Sequence, residues 1–137
     1  MPNEPIWLPA RAVIDINQEL VEQTGENHAL LFADKLDSAL ARPINAYLYK
    51  EVYDTVTLSV NLMLALGQAH PFEQGNKRTA FYSGLNFLLD NGYELLHPDT
   101  TEFAKDFEAA VMREMPPEVF EQIIAPWIES LPEEEEE

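Results

Sequence analysis

Cysteine is missing from all 137 residues. No disulfide framework, thiolate nucleophile or cysteine-ligated zinc site can therefore be built, a composition compatible with a reducing cytosol. Cations are scarce as well: eight lysines and arginines stand against 25 acidic residues, a formal net charge of −17. Neutralising a phosphate backbone needs a basic face, so direct binding of DNA or RNA is not expected. The opening residues, MPNEPIWLPAR, are acidic and proline-rich and lack the apolar stretch of a signal peptide. The longest uncharged run, Thr55 to Phe72, approaches the length of a membrane span. It is broken by Thr55, Thr57, Ser59, Asn61, Gln68 and Pro71, and reads as a buried central helix. No membrane association is expected, and the location these absences suggest is the cytoplasm.

What is present reads as helix. The length suits one domain, taken as residues 1–132, large enough to bury a core without metals or disulfides. The run Glu133–Glu137 reads as a solvated acidic tail. Leu8-Pro9 opens a first helix with Val13, Ile16, Leu20 and Val21 on its apolar stripe, and Gly25 ends it. A shorter helix from about Phe32 should close at Arg42-Pro43, because a residue before proline resists helical geometry. The central helix is expected from about Val52 to Ala69, followed by a loop and a helix from about Asn76 to Asn91. Tyr93 to Leu96 reads as a short extended piece. Thr100 or Thr101 caps a helix through about Met112, with Phe103, Phe107 and Val111 on one face. Pro116-Pro117 breaks it, and a last helix is expected to about Leu131, bent at Pro126. The predicted class is all-α.

The segment His70 to Arg78, HPFEQGNKR, carries the chemistry. It precedes a helical stripe of Phe81, Leu85 and Leu88 that Gly92 stops. Lys77 and Arg78 thus fall in the first turn of a helix, where the macrodipole disfavours cations. With the free backbone N–H groups of that turn they are expected to form a positive pocket suited to a polyphosphate. Gly75 lets the backbone approach phosphate closely, and Asn76 can cap the helix, bond a phosphate oxygen, or do both. Arg78 offers a planar fork and Lys77 a point charge. His70, just upstream, is placed to take a proton from an attacking hydroxyl. Pro71 and Phe72 have loop-shaping rather than chemical roles.

HPFEQGNKR resembles the signature loop of the Fic/Doc family, H-P-F-x-[D/E]-G-N-[G/K]-R, and differs from it only at Gln74. Lys77, the following Thr79-Ala80, the upstream LDSALARP at Leu36–Pro43 and the closing Asn91-Gly92 are similar to the Doc branch, and the likeness runs from about Leu8 to Leu131. The resemblance implies a compact helical bundle, with a small target-aligning flap hairpin near residues 43–50. It implies a toxin of a toxin–antitoxin pair in the bacterial cytoplasm, with ATP and Mg²⁺ as substrate and cofactor. His70 would be the base, and Gly75, Asn76, Lys77 and Arg78 would hold phosphates. The lysine form of the motif implies γ-phosphoryl transfer, on the family pattern to a threonine of elongation factor Tu. The glycine form goes with adenylylation, which remains the alternative.

Gln74 departs from the pattern, because the family has a metal-holding carboxylate there. Mg²⁺ prefers charged oxygen ligands, and an amide supplies only a neutral carbonyl. Glu73 carries a charge, but side chains of neighbouring loop residues diverge. Weakened catalysis, rescue by Glu73 or water, and a silent nucleotide binder all stay open. Ser130 to Glu135 scans only superficially as the family's inhibitory motif, so the resemblance implies inhibition in trans, by a helix of a separate antitoxin protein.

Overall fold

A computed structural model describes residues 3–132. The acidic run Glu133–Glu137 lies outside the described residues. Helix α1 (Ala10–Gln23) starts after Pro9, whose extended backbone serves as N-cap, and gives way to Gly25 at φ +72°. Helix α2 spans Ala33–Lys50, α3 Thr55–Ala69 and α4 Asn76–Asp90. Strand β1 (Tyr93–Leu95), α5 (Thr101–Val111) and α6 (Pro117–Ile124) follow, then a 3-10 turn (Ala125–Trp127) and β2 (Ile128–Ser130). The architecture is all-α, with one two-stranded antiparallel ribbon pairing Tyr93 with Ser130, Glu94 with Glu129 and Leu95 with Ile128.

Helix α3 is the hub. Leu58, Ser59, Val60 and the whole run Leu62–Gly67 are buried, so it has no solvated face over most of its length. A helix apolar all round must be enclosed by others, and α2, α4, α5 and α6 pack around it. Gly84 permits the tightest of these contacts: a Cβ there would collide with the Met63 side chain, so α3 and α4 approach through a missing methyl. Phe81, Phe103, Phe107 and Phe120 form a chain of ring contacts joining α4, α5 and α6. Asp54 accepts from Val56 N (2.9 Å) and Thr100 from Phe103 N (3.1 Å), capping α3 and α5.

Three expectations need correction. Residues 43–50 form no flap hairpin; they are the second half of α2, which runs through Pro43. The proline removes one backbone donor, but Leu36, Ala39, Pro43, Ala46 and Tyr47 share one buried face, and that packing outweighs the local penalty. The extended segment of this region lies earlier, where Leu30 bridges Phe72. The last helix stops at Ile124 rather than near Leu131, because the chain turns at Pro126 and spends Ile128–Ser130 on pairing with β1. Helix α3 begins at Thr55, three residues later than expected, behind its Asp54 cap.

Candidate active site

The loop from His70 to Gly75 joins the half-buried end of α3 to the start of α4. His70 is the C-cap of α3 in the left-handed region, φ 49°, and its side chain is exposed. Among the described residues its imidazole has no hydrogen bond or ion pair, so both nitrogens face solvent chemistry. Phe72 is buried and fastens the loop to the body. The Pro71 carbonyl accepts from Leu31 N (2.9 Å) and Phe32 N (3.0 Å), while Glu73 N donates to the Ala29 carbonyl (3.0 Å).

Asn76 staples the loop from within. Its Oδ1 accepts from Phe72 N (3.0 Å) and its Nδ2 donates to the Phe72 carbonyl (2.9 Å). The helix cap is Gly75, at φ +74°, with its missing Cβ leaving room for Val21. Gly75 rather than Asn76 is therefore the cap; the Asn76 amide holds the loop's curvature and keeps a second Nδ2 hydrogen to donate. The first intrahelical bond of α4 is Thr79 N to the Gly75 carbonyl (2.9 Å). That leaves the N–H groups of Asn76, Lys77 and Arg78 without a partner among the described residues, at the positive end of the helix.

The adjacent cations diverge. Lys77 crosses to Glu108 on α5, Nζ to Oε1 2.9 Å. Arg78 turns toward the end of α1, bonding Glu26 through Nη2 and Thr24 Oγ1 through Nη1 (3.5 Å). The Thr24 hydroxyl also donates to Glu26, and these contacts, with Thr24 first and Arg78 second, hold the Glu26 carboxyl below the usual glutamate range. Both cations line one cleft of about 540 Å³ that continues over Phe81, Tyr82, Phe103 and Phe107. The cradle is thus positive in its backbone, with each side-chain charge already matched by a carboxylate.

Asn17 is the residue that sequence reasoning missed. It is fully buried on α1, and its Nδ2 donates to the Gln74 carbonyl (2.9 Å) and to Thr79 Oγ1 (3.0 Å). Its Oδ1 lies 2.7 Å from His28 Nδ1. Since Asn17 Oδ1 can only accept, the His28 Nδ1 carries the proton in this contact. One amide thus ties α1, the loop and α4 together. The available signal was a polar residue on an apolar stripe, midway between Val13 and Val21 at helical spacing. Glu26, Thr24, His28 and Glu108 carried no pattern that marked them.

At the position of the expected metal ligand, the Gln74 side chain is exposed and unbonded among the described residues; only its carbonyl is engaged, by Asn17. The Glu73 carboxylate accepts from Asn27 Nδ2 (3.0 Å). No group of three His, Cys, Asp or Glu suited to a metal occurs among the described residues. The chain offers Mg²⁺ one neutral side-chain oxygen and no carboxylate at that position, a poor donor set for a hard cation. No helix among the described residues is long and apolar enough to cross a membrane.

No curated protein matches the chain. The model of the Fic/DOC family matches residues 7–88, more than half of the sequence, covering α1 to α3, the complete His70–Arg78 loop and all but the last two residues of α4. Members of that family are typically transferases, of the AMPylation or phosphotransfer type. By this match, and with the helical bundle and loop just described, the chain belongs to the Fic/DOC family.

Proposed function

We propose that the chain transfers the γ-phosphoryl group of ATP to a hydroxyl of another protein. The carrying observation is the pairing of an unpartnered His70 with three unbonded N–H groups at the start of α4, on one short loop. In this reading the phosphates lie along that helix start, and Arg78 exchanges Glu26 for a phosphate oxygen. His70 accepts the proton of the acceptor hydroxyl as its oxygen bonds to the γ-phosphorus and the bond to the β–γ bridging oxygen breaks, releasing ADP. The apolar cleft over Phe81, Tyr82 and Phe103 is wide enough for the nucleoside end. Mg²⁺ would neutralise phosphate charge when bound, and Gln74 would contribute at most its amide oxygen. The segment at Leu30–Phe32, paired along Pro71 and Phe72, stands where a target strand could be aligned.

Lys77 in the motif supports γ-phosphoryl transfer over adenylylation, since its cationic side chain fills space that glycine would leave open. By resemblance to the Doc branch, the target is a threonine of elongation factor Tu. The physiological setting is a toxin–antitoxin pair whose antitoxin protein inhibits in trans. The deciding experiment incubates the purified chain with a bacterial lysate and ATP labelled separately at the α and γ positions. Label from γ alone on a protein band supports the reading, and label from α assigns adenylylation instead.

A second reading has its own support. With Gln74 uncharged and Glu73 tied to Asn27, the chain would bind nucleotide without transferring any part of it. Saturable ATP binding with no label transferred from either position, at any Mg²⁺ concentration, would favour it.

A further inference from the structure

Outside the loop, two further cations converge. Arg42 of α2 and Arg113, just beyond α5, both donate to the same atom, Gln68 Oε1, at 3.3 and 3.2 Å. No carboxylate lies within ion-pair distance of either arginine among the described residues. In a chain of net charge −17, two guanidiniums gathered on one neutral oxygen are an unusual expenditure of like charge. Arg113 also occupies the left-handed position that ends α5, φ 63°, where glycine would sit without strain.

The pair stands at one end of a cleft of about 550 Å³. Gln68, Leu64, Asn61 and Thr57 follow one another along its α3 wall at helical spacing. Asn61 Oδ1 is buried without a hydrogen-bond partner, an acceptor lacking a donor. Glu118 and Glu121 line the cleft as well, so it is positive at Gln68 and negative toward α6. Seven residues of helix, the separation of Gln68 and Asn61, correspond to roughly 10 Å, the span of about three residues of extended chain. Gln68 also lies on the last turn of α3, two residues before His70.

We propose that this cleft recognises the acceptor polypeptide, which must carry an acidic residue for Arg42 and Arg113. About three residues farther along, past the α3 wall at Asn61, it carries a basic group for Glu118 and Glu121. The assignment of an acceptor rests on the transfer reading above; the binding of such a segment does not. Fork-shaped guanidiniums bind carboxylates in two-point contacts, and a strongly acidic surface elsewhere repels the same ligand, which confines it to the cleft.

The test is an NMR titration of the full chain, without nucleotide, following the Gln68 and Asn61 side-chain amides and the Arg42 and Arg113 Nε–H signals. The probe is an acetylated, amidated tetrapeptide with glutamate first, lysine last and two alanines between. Comparison probes are the same peptide with glutamine at both ends, and inorganic phosphate. Saturable shifts at these four side chains with the charged peptide, weakened at least about tenfold in the double variant R42Q/R113Q, are expected. Equal binding of the glutamine peptide, saturation by phosphate alone, or no saturation by about 10 mM peptide would overturn the proposal. Once a target is known, the double variant should raise KM for it and leave kcat unchanged. Absence of transfer by the wild-type chain counts against the enzymatic reading alone, because the titration needs no turnover.

Discussion

Lys77 and Arg78 are neighbours in sequence that part in space; Arg42 and Arg113 are distant in sequence and meet. The first two each hold a carboxylate, Glu108 and Glu26, and the second two share one neutral amide oxygen. An incoming phosphate must displace a protein carboxylate from Arg78, whereas an incoming carboxylate at Arg42 and Arg113 displaces only a glutamine. The loop therefore rests in a self-neutralised state, and affinity there is a difference between two charged contacts. The remote pair rests with its charge uncommitted. Sequence adjacency is a poor guide to where charge is available.

The comparison can be probed by leaving both pairs intact and removing the base. His70→Ala should lower transfer by about two to four orders of magnitude while nucleotide affinity stays within a few fold, since no phosphate contact is lost. Single-turnover transfer beside equilibrium nucleotide binding checks both halves; wild-type transfer by the variant would refute the role of base. A second variant removes the support beneath one pair only. Asn17→Ala strips the Gln74 carbonyl and Thr79 hydroxyl of a buried donor and should cost about 1–3 kcal/mol in denaturant unfolding. The loop amides should shift in the variant's NMR spectrum and the Gln68 amide should not.

Glu26→Gln frees Arg78 from its charged partner and should tighten ADP or ATP roughly tenfold by calorimetry. A weaker complex would mean that Glu26 aims the guanidinium rather than competing for it. Gln74→Glu adds the carboxylate that the cradle lacks and should raise γ-phosphoryl transfer roughly tenfold at limiting Mg²⁺, with the gain shrinking as the metal saturates. The smallest effect concerns pH. Glu26 titrates below the usual glutamate range, so its contribution to stability is present at and above that range and disappears as pH falls through the lowered value. A carboxyl NMR titration should place the Glu26 midpoint below the usual glutamate range, and Glu26→Gln should flatten the acid limb of the stability curve.

Where local signals and packing agreed, the sequence was readable. Pro9, Gly25, Thr100 and Gly92 punctuate the chain as their chemistry suggests, and α3 showed itself by an uncharged run too polar for a membrane. Pro43 misled because the rule about the preceding residue is local, while the buried stripe from Leu36 to Tyr47 is settled by contact with α3. The pairing of Ile128–Ser130 with β1 depends on a partner some thirty residues back, which no local pattern announces. In the site, His70 to Arg78 could be read as a unit, but the carboxylates on Lys77 and Arg78 could not, because Glu26 and Glu108 are two among many acidic residues. Asn17 was legible only as an anomaly. A polar residue on an apolar stripe has a partner somewhere, and only the fold names it.

The order in which the chain leaves a ribosome gives the loop's anchoring a further meaning. Asn17, Asn27, Ala29, Leu31 and Phe32, which hold the loop from outside, all precede it. By Thr79 the chain already contains each external tether and both ends of the Asn76 staple. Glu26, the partner of Arg78, precedes the loop in the chain, whereas Glu108, the partner of Lys77, follows it on α5. The loop's tethers and the partner of Arg78 thus lie on its N-terminal side, and only the partner of Lys77 is drawn from the C-terminal part of the chain.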